Sequence, residues 1–279
     1  MITRRDALKT TALTALGLPL IGASQAFAAE PVKGLKLGVA SYSLSKLSVD
    51  EVIAALKEMQ ISYVGLYKTH APWSDGTPEK CREVGEKFKA AGITISGTGV
   101  VDLPNNEEAV RKAFENGKAA GLKTMVCKPA LDSFPLIEKF VQEYDIKVAI
   151  HNHGPEDKVY PSPYDAWKAI QKYDKRIGLC IDVGHAARGG ANPAEAILKC
   201  RARLYDIHLK DSLAEAGAVK DVPVEVGKGK LDIKGILTAL LEIKYSHVVA
   251  FEYEKKTGDA LTGLKESVEY VRGILKSMS

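Results

Sequence analysis

Short apolar runs rich in Val, Ile and Leu alternate along the chain with segments whose apolar positions recur every three or four residues. The first kind reads as buried strand and the second as amphipathic helix. The pattern predicts strands over 35–43, 62–70, 93–101, 122–129, 146–154, 176–185, 203–211 and 246–254. It predicts helices over 48–60, 77–92, 106–121, 133–144, 162–173, 192–202, 232–245 and 259–278. Ser48 followed by Glu51 is a capping box, and the second and third helices end on Gly92 and Gly121. Strands that are apolar on both faces and separated by helices pair in parallel. Eight such βα units in about 250 residues predict an α/β fold, the (β/α)8 TIM barrel. The alternative, an open doubly wound sheet, wants a glycine-rich phosphate loop after its first strand, and "ASYSLSK" is not one.

The polar exceptions to the apolar runs fall late in each strand. The second predicted strand ends in His70 and the fourth in Lys128. The fifth ends in His151 and His153, within "VAIHNHG", and the sixth in Asp182 and His185, within "CIDVGH". The seventh, "DIHLKD", carries Asp206, His208, Lys210 and Asp211, and the eighth, "FEYE", carries Glu252 and Glu254. Period-two geometry puts His151 with His153, His208 with Lys210, and Glu252 with Glu254 on one face. The C-terminal mouth of a barrel is where catalytic groups collect. Five of the six histidines lie at such ends; His247 begins a strand, at the opposite rim. Imidazole and carboxylate converging from neighbouring strands suit one divalent ion, manganese, zinc, cobalt or iron.

Charge and composition narrow the partners. The formal charge is +4, and residues 1–28 hold a net +2 of it in Arg4, Arg5, Asp6 and Lys9. The remainder is too near neutral to favour nucleic acid or anionic lipid. Residues 1–28 read as a twin-arginine signal: paired Arg4 and Arg5, an apolar stretch, then "AFAA" with cleavage after Ala28. The reading divides the chain into this signal and one barrel domain, 29–279, exported to the periplasm with no membrane association once the signal is cut. Cys81, Cys127, Cys180 and Cys200 sit in apolar strand or helix patterns with no zinc-motif spacing, and are expected to be buried, unpaired thiols.

"CIDVGH", "DIHLKD" and "FEYE", in this order on the last three strands, resemble the sugar phosphate isomerase/epimerase superfamily, the xylose isomerase-like TIM barrels. Its members include keto-sugar epimerases, hydroxypyruvate isomerase and inosose dehydratase, with endonuclease IV sharing the fold. In the epimerases the metal is held by glutamate, aspartate, histidine and glutamate on strands five to eight. The resemblance carries these roles to His151, Asp182, His208 and Glu252, and a substrate-contacting role to His185 and Lys210. His70 and Glu254, at strand ends, are further substrate-binding candidates. His151 stands where the epimerases have glutamate, which weakens a symmetric two-carboxylate epimerisation. The pattern is nearest to the inosose dehydratase and 3-keto-glycoside lyase types. In that chemistry the metal polarises a ketone, a base (Glu252 or His153) takes the α-proton, and an acid (His153, His185 or Lys128) assists departure of the β-oxygen. Export favours an unphosphorylated carbohydrate substrate. Two other readings are a sugar epimerase and a barrel that binds sugar without turnover. A nuclease fails on ligand count, because a three-zinc site needs more donors than these strands supply. The oligomeric state is not legible.

Overall fold

The computed structural model describes residues 31–255 and 257–278, so the expected export signal and its cleavage point lie outside the described residues. Strands β1 (Lys36–Ala40), β2 (Tyr63–Leu66), β3 (Thr94–Thr98), β4 (Val101–Leu103), β5 (Thr124–Pro129), β6 (Lys147–His151), β7 (Ile177–Asp182), β8 (Leu204–Leu209) and β11 (Val248–Phe251) form one sheet. Its order is β3-β2-β1-β11-β8-β7-β6-β5-β4, and every pairing is parallel. The first and last strands of that order are two pieces of the one strand predicted over 93–101. It breaks at Gly99, whose close packing on Tyr67 leaves no room for a Cβ. One piece pairs with β2 and the other with β5, so the sheet curls into the predicted (β/α)8 barrel. A small hairpin, β9 (Asp211–Ser212) with β10 (Pro223–Val224), rises from the mouth.

The eight predicted helices are present as α1 (Val49–Glu58), α2 (Pro78–Ala90), α3 (Glu107–Ala119), α4 (Phe134–Tyr144), α5 (Pro163–Ile170), α7 (Pro193–Cys200), α8 (Ile233–Glu242) and α9 (Ala260–Ser277). The Ser48–Glu51 capping box closes as expected, and Gly92 and Gly121 take the left-handed backbone that ends α2 and α3. One helix was not legible: α6 (Val183–Arg188) starts directly at the end of β7. Asp182 caps it, its Oδ1 accepting the His185 amide at 2.8 Å. The run read as strand through residue 185 therefore turns into helix after residue 182.

The main core lies between the sheet and the helices, where Val39, Val64, Ile150, Ile181, Ile207 and Phe251 meet Phe88, Phe114, Phe140 and Leu240. The barrel interior is lined by smaller groups, Ala40, Val126, Ala149, Cys180, Val248 and Ala250. Small inward side chains leave the polar ones above them to fill the mouth. All four cysteines are buried and free, as expected.

Candidate metal and substrate site

His151 closes β6 with its ring inside the barrel mouth, 2% exposed. The asparagine between the two histidines has a different task. Asn152 Nδ2 donates to the Asp182 carbonyl at 3.0 Å and its Oδ1 accepts the Asp182 amide at 3.0 Å. It pins the end of β6 to the end of β7 and sets His151 beside Asp182. The period-two spacing then returns His153 to the His151 side, with ring centroids 4.5 Å apart.

Four donors converge here. His151 Nε2 lies 3.1 Å from His208 Nδ1 and 3.4 Å from Asp182 Oδ2, and His208 Nδ1 lies 3.3 Å from Glu252 Oε2. One donor atom from each of the four residues falls within 4.8 Å of the rest, and all four residues are buried. Donors about 2 Å from a shared centre stand roughly 3–4 Å apart. The spacing and the mixed imidazole–carboxylate chemistry therefore fit a divalent ion. His151 Nδ1 is buried with no hydrogen-bond partner, which is costly unless the atom has another use.

Lys210 lies under this cluster, 1% exposed, its Nζ 2.9 Å from Asp182 Oδ2, 2.8 Å from Glu252 Oε2 and 2.6 Å from Glu254 Oε2. Burial alone would raise the carboxyls of Asp182 and Glu252. His185 and Lys210 around Asp182, and Lys210 and His208 around Glu252, outweigh it, so both are held well below the usual carboxylate range. Glu254 moves the other way, raised by burial and by Glu252 against the pull of Lys210. Burial is also the largest influence on Lys210 and would lower it; the three carboxylates overcome that and keep it charged.

Above the cluster opens a cavity of about 360 Å³ lined by His151, His153, His185, Lys128, Glu252 and Glu254. Lys128 Nζ lies 2.8 Å from Asp157 Oδ2, which is 3.4 Å from His153 Nδ1. Burial, then His151 and Lys128, push the His153 imidazole down to about 4. Tyr42, Tyr67, Lys68 and Asp102 also line the cavity and were not singled out from the sequence. They sit in βα loops or in the broken third strand, where no periodic pattern points inward.

Two expectations of substrate contact need correction: Lys210, which is buried beneath the cluster and does not line the cavity, and His70. His70 does not reach the cavity. The backbone leaves the strand at Leu66 and turns, and His70 is buried with Nε2 donating to the Leu47 carbonyl at 3.0 Å and Nδ1 accepting from Ser41 Oγ at 2.7 Å. It clips the β1 and β2 loops together. Asp211 also faces away, its carboxylate accepting the amides of Gly227, Gly229 and Leu231 and holding the loop before α8.

The model of the xylose isomerase-like TIM barrel family matches residues 53–274. The chain belongs to that family. Among solved structures of the same fold is the IolI protein with a bound zinc atom, 18% identical, TM-score 0.72, covering 88% of this chain and 100% of the other. Another is the 3-keto-D-glucoside 4-epimerase YcjR from E. coli, 17% identical, TM-score 0.69, covering 86% and 99%. At these identities the likeness is one of fold. Among curated sequences, the protein named "Probable endonuclease 4" of Thermosipho melanesiensis is 38% identical over 80 residues, 25% of this chain and 28% of that one. The chain spans half or less of the length of the curated relatives it matches. Members of the family act on carbohydrates and related substrates.

Proposed function

We propose that the protein is a divalent-metal-dependent lyase of keto-sugars, of the 3-keto-glycoside lyase or dehydratase type. The observation that carries this reading is the four-donor cluster at the floor of a cavity whose walls hold an imidazole, an ammonium and a second imidazole. A cation held by His151, Asp182, His208 and Glu252 would supply Lewis acidity to a substrate ketone and offset the charge that grows on its oxygen.

The remaining work falls to side chains. His153 lines the cavity with Asp157 3.4 Å from its Nδ1, and is the base the geometry favours over Glu252, whose carboxylate Lys210 and His208 already engage. It takes the proton from the carbon beside the ketone. The electron pair of that C–H bond forms the new C=C bond as the β C–O bond breaks. The departing oxygen takes a proton from Lys128 or His185. Glu254 binds substrate hydroxyls, and Lys210, buried beneath it, holds its carboxylate in place. One base and one acid suffice, so the imidazole at position 151 in place of a second carboxylate is no obstacle.

The expected substrate is an unphosphorylated carbohydrate met outside the cytoplasm, in keeping with the signal-like residues 1–28, and nucleic acid plays no part. A second reading, epimerisation, is favoured by the fold shared with the 3-keto-D-glucoside 4-epimerase. A barrel that binds sugar without turnover is the reading from another class. Stripping the protein with a chelator and restoring zinc, manganese or cobalt separates these. Metal-dependent aglycone release from a 3-keto-glucoside supports the lyase. Tight sugar binding with no turnover under any metal supports the binding barrel.

A further inference from the structure

Arg188 is fully buried, 1% exposed, and has no part in the chemistry above. It ends α6, one helical turn after His185 on the same face. Its guanidinium gathers three loops of the barrel mouth. Nη1 donates to Glu156 Oε2 at 3.0 Å and to the carbonyls of Ala218 and Val219 at 2.9 and 2.8 Å. Nη2 donates to Glu156 Oε1 at 2.7 Å and stands 2.7 Å from His185 Nδ1, with the His153 carbonyl farther off at 3.3 Å. The two hydrogens of Nη2 go to the two short contacts.

A guanidinium offers only donors. The 2.7 Å contact bonds only if His185 Nδ1 carries a lone pair. A neutral imidazole has one ring proton, which must then sit on Nε2. The same contact requires a neutral ring, because an imidazolium has no lone pair to offer a donor. One contact argues for the other tautomer, Lys210 Nζ at 3.5 Å from Nε2. That ammonium has nearer partners in the carboxylates of Asp182, Glu252 and Glu254, all at 2.9 Å or less. The shorter bond to Arg188 decides.

We infer that Arg188 is a positioning residue that fixes His185 as its Nε2–H tautomer, so that His185 presents a hydrogen-bond donor to a substrate oxygen and is not the base. The donor role rests on the proposed lyase reading; the tautomer does not. As a neutral ring His185 donates a hydrogen bond but keeps its proton, so of the two acids left open above Lys128, an ammonium paired with Asp157, is the one that can protonate the departing oxygen. The surroundings are shaped to admit the guanidinium. Gly154 has φ +86°, and a Cβ there would stand 2.9 Å from Arg188 Nη2.

The test is a proton–nitrogen multiple-bond correlation spectrum of the imidazole rings in the full, ¹⁵N-labelled, zinc-supplemented protein, with His185 assigned by its loss in His185→Gln. His185 should show the Nε2–H pattern. In Arg188→Met it should shift towards Nδ1–H, because the Lys210 ammonium, 3.5 Å from Nε2, is then no longer opposed by Arg188 at Nδ1. Arg188→Lys, still a donor-only cation, should keep Nε2–H. On a 3-keto-glucoside, Arg188→Met should lower kcat by about 10²-fold with KM little changed, and Arg188→Lys should recover part of it. A wild-type Nδ1–H or doubly protonated ring overturns the assignment, and Nε2–H persisting in Arg188→Met overturns the role of Arg188. If Arg188→Met does not fold, loss of Nε2–H in Arg188→Lys serves the same end. A correct tautomer in a protein that cleaves no keto-glycoside contradicts the lyase reading and leaves the tautomer standing.

Discussion

An imidazole at position 151 removes one negative charge from the ligand cluster, and Lys210 offsets more of what remains. Its ammonium lies within 2.9 Å of both carboxylates that would hold a cation. Like charges at that range repel, so the lysine holds the metal-free site together and works against metal binding. Lys210→Met should destabilise the metal-free protein by about 3–5 kcal/mol, as breaking a buried pair does, and zinc should restore more stability to it than to wild type. Thermal unfolding with and without zinc checks this. Asp182→Ala removes a ligand and the cap of α6 together. It should abolish bound metal by elemental analysis and activity while the fold is retained, at a cost of about 1 kcal/mol from the cap and a further cost from the ion pair that Lys210 loses. Global unfolding of this variant, even with metal supplied, would make Asp182 a structural residue.

The pH response of the metal-free protein arises from the same groups. His153 is lowered to about 4 and His185 to about 2 in the folded state, so the unfolded chain takes up protons that the native rings refuse. This stabilising difference is full above about pH 6.5 and is lost as the pH falls towards 4. Asp182 and Glu252, also lowered, keep their contribution above the ordinary carboxylate range and lose it below. Other buried groups are raised, Asp206 to about 7, and oppose this trend, so the isolable expectation is a difference between proteins: between pH 7 and 5 the denaturant midpoint of His153→Gln should lose less, or gain more, than that of wild type. An identical pH response in the two proteins would contradict the shift assigned to His153.

Between elements, the decisive contact is the pair of bonds from Asn152 to the backbone of Asp182. Asn152→Ala leaves a buried amide and carbonyl without partners, at about 1–3 kcal/mol. It should also weaken zinc affinity by about 10–100-fold, read by competition with a chromophoric chelator, because the two ligands it aligns become independent. Nothing in the sequence marked Asn152 beyond its place between two histidines. Strand ends, by contrast, were legible, because period-two alternation is a local property: it placed His151, His208, Glu252 and Lys210 on one side correctly. His70 misled because the apolar run continues through a turn, and alternation carries no signal when a strand stops at Leu66. Helix α6 was hidden because its six residues are too few to show a period. Arg188 was hidden with it, since what makes it matter is spatial, a meeting of three loops distant in sequence.

At the scale of the whole molecule, the barrel brings strands β6, β7, β8 and β11 side by side in that order, so four separated motifs become one site. The break at Gly99 lets the third strand close the ring from both sides. The cavity above the cluster has room for a sugar and is walled by groups that can move a proton. The central claim is that loss of the α-proton leads to rupture of the β C–O bond. A 3-keto-glucoside incubated with the zinc- or manganese-loaded enzyme in D₂O, and monitored by proton NMR, tests it most directly. A lyase releases the free aglycone and leaves an unsaturated keto-sugar. Deuterium entering at the α-carbon with inverted configuration, while the glycosidic bond stays intact, would contradict the lyase and establish an epimerase.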